Sequence, residues 1–347
     1  MSPIPDAACL RGAKVLLEDH FCVRRGEHVA LTTDEGTDPV LIRVLSDTAV
    51  ALGATPVVLS FSRLPFQGAL ADPFVPDPVA AAVCESDVWL DMSFPYMAGS
   101  TPFDKALERK RTRYLLLGDL DAAGFGRLYG RIDFDKLFAL QSAADQLLAA
   151  AQGKTARITS PGGSDFRFTI GKPATVKHRR AEQPGAQTIP GSAIFYPELE
   201  SVQGRIVLEA VFHEYYSVPR EPLVIEVDGR VRSVSGDGDA LVMDRALRRA
   251  GGGEYGNVIH LTVGLNTAAR MTGRSFIEDI RTVGCNAIGL GLPWWLPGGG
   301  ENHPDGVVRQ QSLWIEQELI IDKGLPAAGH VLASLLREAS PSLSEQA

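Results

Sequence analysis

The chain is poor in cysteine: Cys9, Cys22, Cys84 and Cys285 are scattered through 347 residues with no Cys-x-x-Cys pair. That spacing builds neither a zinc ribbon nor a disulfide framework, and it fits a reducing cytoplasm. Basic charge is also short, with 34 Lys and Arg against 42 Asp and Glu for a formal net charge of −8. The broad basic face that a nucleic-acid binder uses to displace counterions is therefore missing. No apolar run approaches the ~18 residues of a membrane span. Pro3, Pro5 and Asp6 stand where an export signal would begin with a basic stretch and an apolar segment. The expectation is a cytoplasmic protein without nucleic-acid or membrane partners, leaving small molecules or copies of itself in a homo-oligomer. Also lacking are a P-loop and a Gly-x-Ser-x-Gly elbow, and Gly124-Phe125-Gly126 has no third matching glycine for a dinucleotide fingerprint.

What is present is 45% hydrophobic residues and enough length for two domains of about 150 residues each. The first part alternates strand and helix. His28 to Thr33 reads as a buried strand, and Asp38-Pro39 offers an N-cap followed by proline at the first helical position. Val40, Leu41, Val44, Leu45, Thr48 and Leu52 follow at helical spacing, Gly53 closes the helix, and Thr55 to Leu59 is the next strand. A strand, crossover helix and strand pair in parallel. The pattern continues through the strands Val88 to Met92 and Tyr114 to Leu117, and a helix marked by Phe134, Leu137, Phe138, Leu147 and Leu148. The reading is an N-terminal parallel-sheet α/β domain over residues 1–153. Beyond it come hairpins around Pro161-Gly162-Gly163-Ser164 and Asp228-Gly229, a helix from Ala240 to Ala250, a strand from Val258 to Gly264, a strand from Ser312 to Ile321 and a helix near Ala327 to Arg337. Residues 154–347 thus read as a C-terminal α+β domain of antiparallel strands, with a disordered Ser-rich tail after Ser340.

The chemistry is concentrated in this second half. His303 and Asp305 are two apart in Gly298-Gly299-Gly300-Glu301-Asn302-His303-Pro304-Asp305-Gly306, so in an extended segment both leave the same face. His260 lies upstream, where strict alternation puts Val258, His260 and Thr262 on one face and Ile259, Leu261 and Val263 on the other. Two imidazoles and one carboxylate are the ligand set of a non-haem iron(II) oxygenase with open positions. The plain alternative is a loop histidine beside a Pro-Asp-Gly turn. Trp294 and Trp295 precede the glycines and offer a flat aromatic substrate a stacking surface. In the polar cluster His213-Glu214-Tyr215-Tyr216, His213 and Tyr215 are candidates for moving a proton and Glu214 for binding substrate. Ordinary strand-end polar residues are the alternative there.

Several segments carry a family resemblance. Arg25 to Thr33 followed by Gly53-Ala54-Thr55-Pro56-Val57, the hairpin Ser160 to Phe168, and Val263-Gly264-Leu265-Asn266 resemble the thermophilic metallo-aminopeptidases of aminopeptidase T type over most of the chain. Within that superfamily the last part is most similar to 2,5-dihydroxypyridine 5,6-dioxygenase. Its His-x-Asp precedes a Ser-Leu-Trp strand, as His303-Pro304-Asp305 precedes Ser312-Leu313-Trp314, and its lone histidine stands before a Gly-x-Asn turn, as His260 does. The resemblance implies iron(II) held by His260, His303 and Asp305, and cleavage of a hydroxylated, nitrogen-containing aromatic ring by O2. There are departures. Ala193 stands where the superfamily commonly has a metal-binding glutamate, and Gly289, Gly291 and Pro293 offer no serine where the dioxygenase has one near its iron. Two other functions stay open. One is a metallo-aminopeptidase using Glu198, Glu200 or Glu214, with metal-activated water as nucleophile. The other is a metal-free binding protein on the same fold.

Overall fold

The computed structural model describes residues 5–172, 179–300 and 302–340. Glu301 and the tail beyond Ser340 lie outside the described residues. The chain divides into two compact units, one of Met1–Ile132 with Lys177–Pro190, the other of Asp133–Val176 with Gly191–Pro341.

The first unit holds a parallel sheet in the spatial order Thr55–Ser60, His28–Thr33, Val88–Asp91, Arg113–Leu116 and Gly185–Thr188. Its first crossover is the helix Pro39–Ala51, where the Asp38 carboxylate accepts from the Val40 amide and Val40, Leu41, Val44, Leu45 and Ala49 are buried. The polar last strand, Gly-Ala-Gln-Thr, carries no apolar alternation, so only its pairing with Arg113–Leu116 reveals it.

The second unit contains two antiparallel sheets. The eight-stranded sheet includes the hairpins Thr155–Thr159 with Asp165–Thr169 and Leu223–Asp228 with Arg230–Ser235. The six-stranded sheet runs Tyr216–Ser217, Ala210–Phe212, Asp305–Arg309, Cys285–Gly291, Asn257–Gly264 and Ser192–Phe195. Phe166, Ile206 and Ile225 of the larger sheet join Phe195, Leu261 and Ile288 of the smaller in one core with Leu140, Met243 and Leu336 from the helices. Parallel strands early and antiparallel strands late are expected from the sequence, but the succession is not strict: the parallel strand Gly185–Thr188 follows the antiparallel hairpin Thr155–Thr159 with Asp165–Thr169.

Two details differ from expectation. The helix Phe134–Ala150, read as the end of the first domain, groups with the second unit and places Leu140 and Ala144 in its core, so the units divide at Ile132 and not at residue 153. Helical periodicity marks an apolar face without saying what covers it. The segment Ser312 to Ile321, read as one strand, is a hairpin of Ser312–Ile315 and Glu318–Asp322. Its turn passes through Glu316 at φ 54°, a conformation that glutamate does not advertise in sequence.

A candidate metal centre

His260 owes its direction to a bulge. Along the strand Asn257–Gly264, Val258 pairs with Leu290, and His260 then pairs with Gly289, so one extra residue is inserted at Ile259. An inserted residue breaks the two-residue alternation and re-aims the side chains on either side of it. Val258, expected on the same face as His260, lies instead in the core with Leu261 and Val263, while His260 points to the other face. The same register pairs Gly289 with Asp305 and Asp305 with Phe212. His260 and Asp305 therefore flank Gly289 on neighbouring strands, with backbones about 10 Å apart at the usual strand spacing. The Pro304 carbonyl accepts from the Leu290 amide at 2.9 Å, which holds the His303-Pro304-Asp305 segment against the Gly289 strand.

The three side chains converge. His260 Nε2 is 3.1 Å from His303 Nε2 and 3.4 Å from Asp305 Oδ1, and His303 Nε2 is 3.6 Å from Asp305 Oδ2. His303 and Asp305 are buried and His260 nearly so. A cation bonded to two imidazole nitrogens at ~2.1 Å and near right angles separates them by about 3 Å. The observed spacing fits. His303 Nδ1 lies 3.1 Å from the Gly300 carbonyl, which can only accept, so the neutral ring carries its hydrogen on Nδ1 and turns the Nε2 lone pair toward the group. With both rings neutral, a single hydrogen from His260 could lie inside the triangle, so hydrogen bonding serves at most one of its edges. One cation serves all three donors. Among the described residues this is the only set of three or more His, Cys, Asp or Glu whose donor atoms meet, all within 4.8 Å of one another.

A model of the 2,5-dihydroxypyridine 5,6-dioxygenase (NicX) family matches residues 18–290. The chain belongs to that family. The match takes in His260 and Gly289 and ends before His303 and Asp305. The fold is similar to that of 2,5-dihydroxypyridine dioxygenase from Pseudomonas putida KT2440, with 18% identity, TM-score 0.74, and 95% of this chain and 100% of that one covered. It is also similar to AmpT from Thermus thermophilus, with 12% identity, TM-score 0.64, and 92% and 99% covered. No curated protein sequence matches significantly.

The other expected site residues of this NicX-family chain divide into two groups. Trp294 is beside the His260, His303 and Asp305 group: its ring lies over His303 at 5.9 Å and 25°, and its centroid is also 5.9 Å from that of His260. Trp295 stands one step out, exposed, edge-on to Trp294 at 4.8 Å. Tyr196, which sequence reasoning passed over, joins them at 6.0 Å from Trp294 and 5.5 Å from Trp295. It directly follows the strand Ser192–Phe195, and only that strand's pairing with the His260 strand brings it here.

The second group is committed elsewhere. Both Glu214 oxygens face Arg245 at 3.0 and 2.6 Å, with Arg249 at 2.8 Å, and the Arg245 hydrogen bond holds this carboxyl below the usual range. Glu214, expected to bind substrate, is tied through these two arginines to the helix Gly238–Ala250. His213 Nδ1 accepts from the Glu214 amide at 2.8 Å, so its hydrogen is on Nε2, 3.2 Å from Asp239 Oδ1. Burial lowers its pKa, opposed by Asp239. Both nitrogens of this ring are thus engaged by neighbouring groups. The exposed Tyr215 hydroxyl donates to the same Asp239 oxygen at 3.3 Å, and its pKa is raised by desolvation and then by that carboxylate. Asp239 was the missing partner in the sequence reading. Ala193, in the place of the peptidase glutamate, pairs with Val263 and lies in the core, on the face away from His260.

Proposed function

We propose that this NicX-family chain is a mononuclear iron(II) dioxygenase that opens a hydroxylated N-heterocyclic ring of the 2,5-dihydroxypyridine class, with His260, His303 and Asp305 holding the iron. The observation that carries the proposal is the triangle of two Nε2 atoms and one carboxylate, closed at 3.1, 3.4 and 3.6 Å. When bound, iron(II) in such a ligand set keeps positions open and lets electron density pass from an electron-rich ring to O2. The protein's own part is geometric. Gly300 fixes the His303 tautomer, the Asp305 strand sets the carboxylate beside both rings, and Trp294 with Tyr196 and Trp295 supplies flat apolar surface for a ring and shields it from water. Free cysteines throughout suit a reducing compartment, and no helix of the described residues is long and apolar enough to cross a membrane.

A two-metal peptidase is less well supported. The strand Ser192–Phe195 contributes no carboxylate, Glu200 is paired with Arg230 at 2.9 Å, and Glu214 is held by two arginines. The deciding experiment is anaerobic reconstitution followed by oxygen-electrode measurements. Uptake of about one iron(II) per chain and oxygen consumption matched to loss of 2,5-dihydroxypyridine are expected. Peptide hydrolysis without oxygen uptake across a panel of hydroxylated rings would overturn the proposal.

A further inference from the structure

Gly289 lies in the row of residues that joins His260 to Asp305, directly between them. A glycine at the centre of a strand is unfavourable, because it gains no packing and loses the most backbone freedom. The usual compensation is a backbone conformation closed to other residues, and Gly289 does not use it: it is absent from the residues at positive φ, its strand pairs without a break with the Asp305 strand, and the bulge opposite it lies in the His260 strand. Space is what it provides. A Cβ on Gly289 would stand 2.2 Å from His260 Nε2, 2.4 Å from Cδ2 and 2.8 Å from Cε1, with no other residue among its three nearest atoms. The Nε2 edge of the imidazole therefore occupies the space over the one bare position of the row.

We infer that Gly289 is a positioning residue for the metal centre: by carrying no side chain it lets the His260 ring cross the middle strand and bring Nε2 to His303 and Asp305. The need follows from dimensions. Ligands on alternate strands start about 10 Å apart, yet donors to one cation must end about 3 Å apart, so both side chains lean over the strand between them. Any Cβ there occupies the space into which they lean. Even alanine would push the imidazole off, and serine more so. The inference rests on the proposed iron site, but the steric coupling between positions 260 and 289 can be measured without metal.

The test is a double-mutant cycle with Gly289→Ala, His260→Ala and the double variant, read by denaturant unfolding of chelated protein and by anaerobic iron(II) titration. In the His260 background, Gly289→Ala should lower stability and weaken iron binding by about 10- to 100-fold, the range for losing a group that orients a ligand. In the His260→Ala background the same methyl should cost nothing and even stabilise the strand. Should Gly289→Ala fail to fold alone, folding of the double variant shows the same coupling. Equal destabilisation in both backgrounds, or unchanged iron affinity in Gly289→Ala, overturns the inference. A wild-type protein that binds no iron would sink the metal proposal, and the unfolding cycle would still decide whether Gly289 seats His260.

Discussion

Asp305→Asn separates a metal ligand from a structural ion pair, because the two roles give opposite signs. The carboxylate is buried, with its oxygens 3.4 Å from His260 Nε2 and 3.6 Å from His303 Nε2. With both rings neutral and no cation, the contact between His303 Nε2 and the carboxylate sets two acceptors face to face, an arrangement a fold tolerates at a functional site and not for stability. Asparagine keeps the shape, removes the charge and can donate to His303. A net hydrogen bond is worth about 1 kcal/mol, so chelated Asp305→Asn should match or exceed wild type, by about 2–4 °C in Tm for a unit of this size. Iron reverses the order. A neutral amide is a poorer ligand, and its loss should exceed the ~100-fold upper range for outer partners. Iron at 100 times the wild-type Kd stabilises wild type by about 2.7 kcal/mol, and a variant weakened 100-fold by only about 0.4 kcal/mol. Scanning calorimetry of chelated and iron-loaded samples at pH 8, without oxygen, measures both effects. An equal iron-induced shift in the two proteins refutes the ligand assignment, and a chelated variant several degrees below wild type makes Asp305 a structural partner.

His213→Ala should keep its iron content while losing about 2 kcal/mol of stability, the scale of a hydrogen bond to a charged group; a large fall in turnover with stability intact, relieved at higher pH, would restore His213 as a base. His20 is buried beside the Tyr129 hydroxyl, and desolvation, aided by Arg180, pushes its pKa down to about 3. The folded ring stays neutral while the unfolded one takes a proton below its ordinary pKa of about 6.5, so stability present above pH 6.5 is lost as pH falls toward 3. Between pH 7 and pH 5 this one residue should account for about 2 kcal/mol of lost stability. His20→Asn should remove that much of the pH dependence in urea titrations, and an unchanged slope would show that the ring is hydrated in the native state.

Local pattern was readable wherever near neighbours decide the structure. The first crossover was visible because Asp38-Pro39 caps a helix whose apolar residues recur at its own period, and the His303–Asp305 pair because residues two apart in extended chain share a face. Which side chains stand ready as candidate donors, and the parallel pairing of the early strands, were therefore determined by the amino-acid sequence alone. Register was not. The bulge at Ile259 sits in an apolar run without glycine or proline to mark it, and it decides that Val258 enters the core while His260 leaves it. Nor could the chain announce that Gly289 lies between His260 and Asp305, that Tyr196 meets Trp294, or that Arg245 on a distant helix claims Glu214. These are contacts between residues far apart in sequence, whose partners are chosen only when strands align and whole faces are buried together. The sequence determined which groups were available for chemistry; the tertiary structure decided which of them meet.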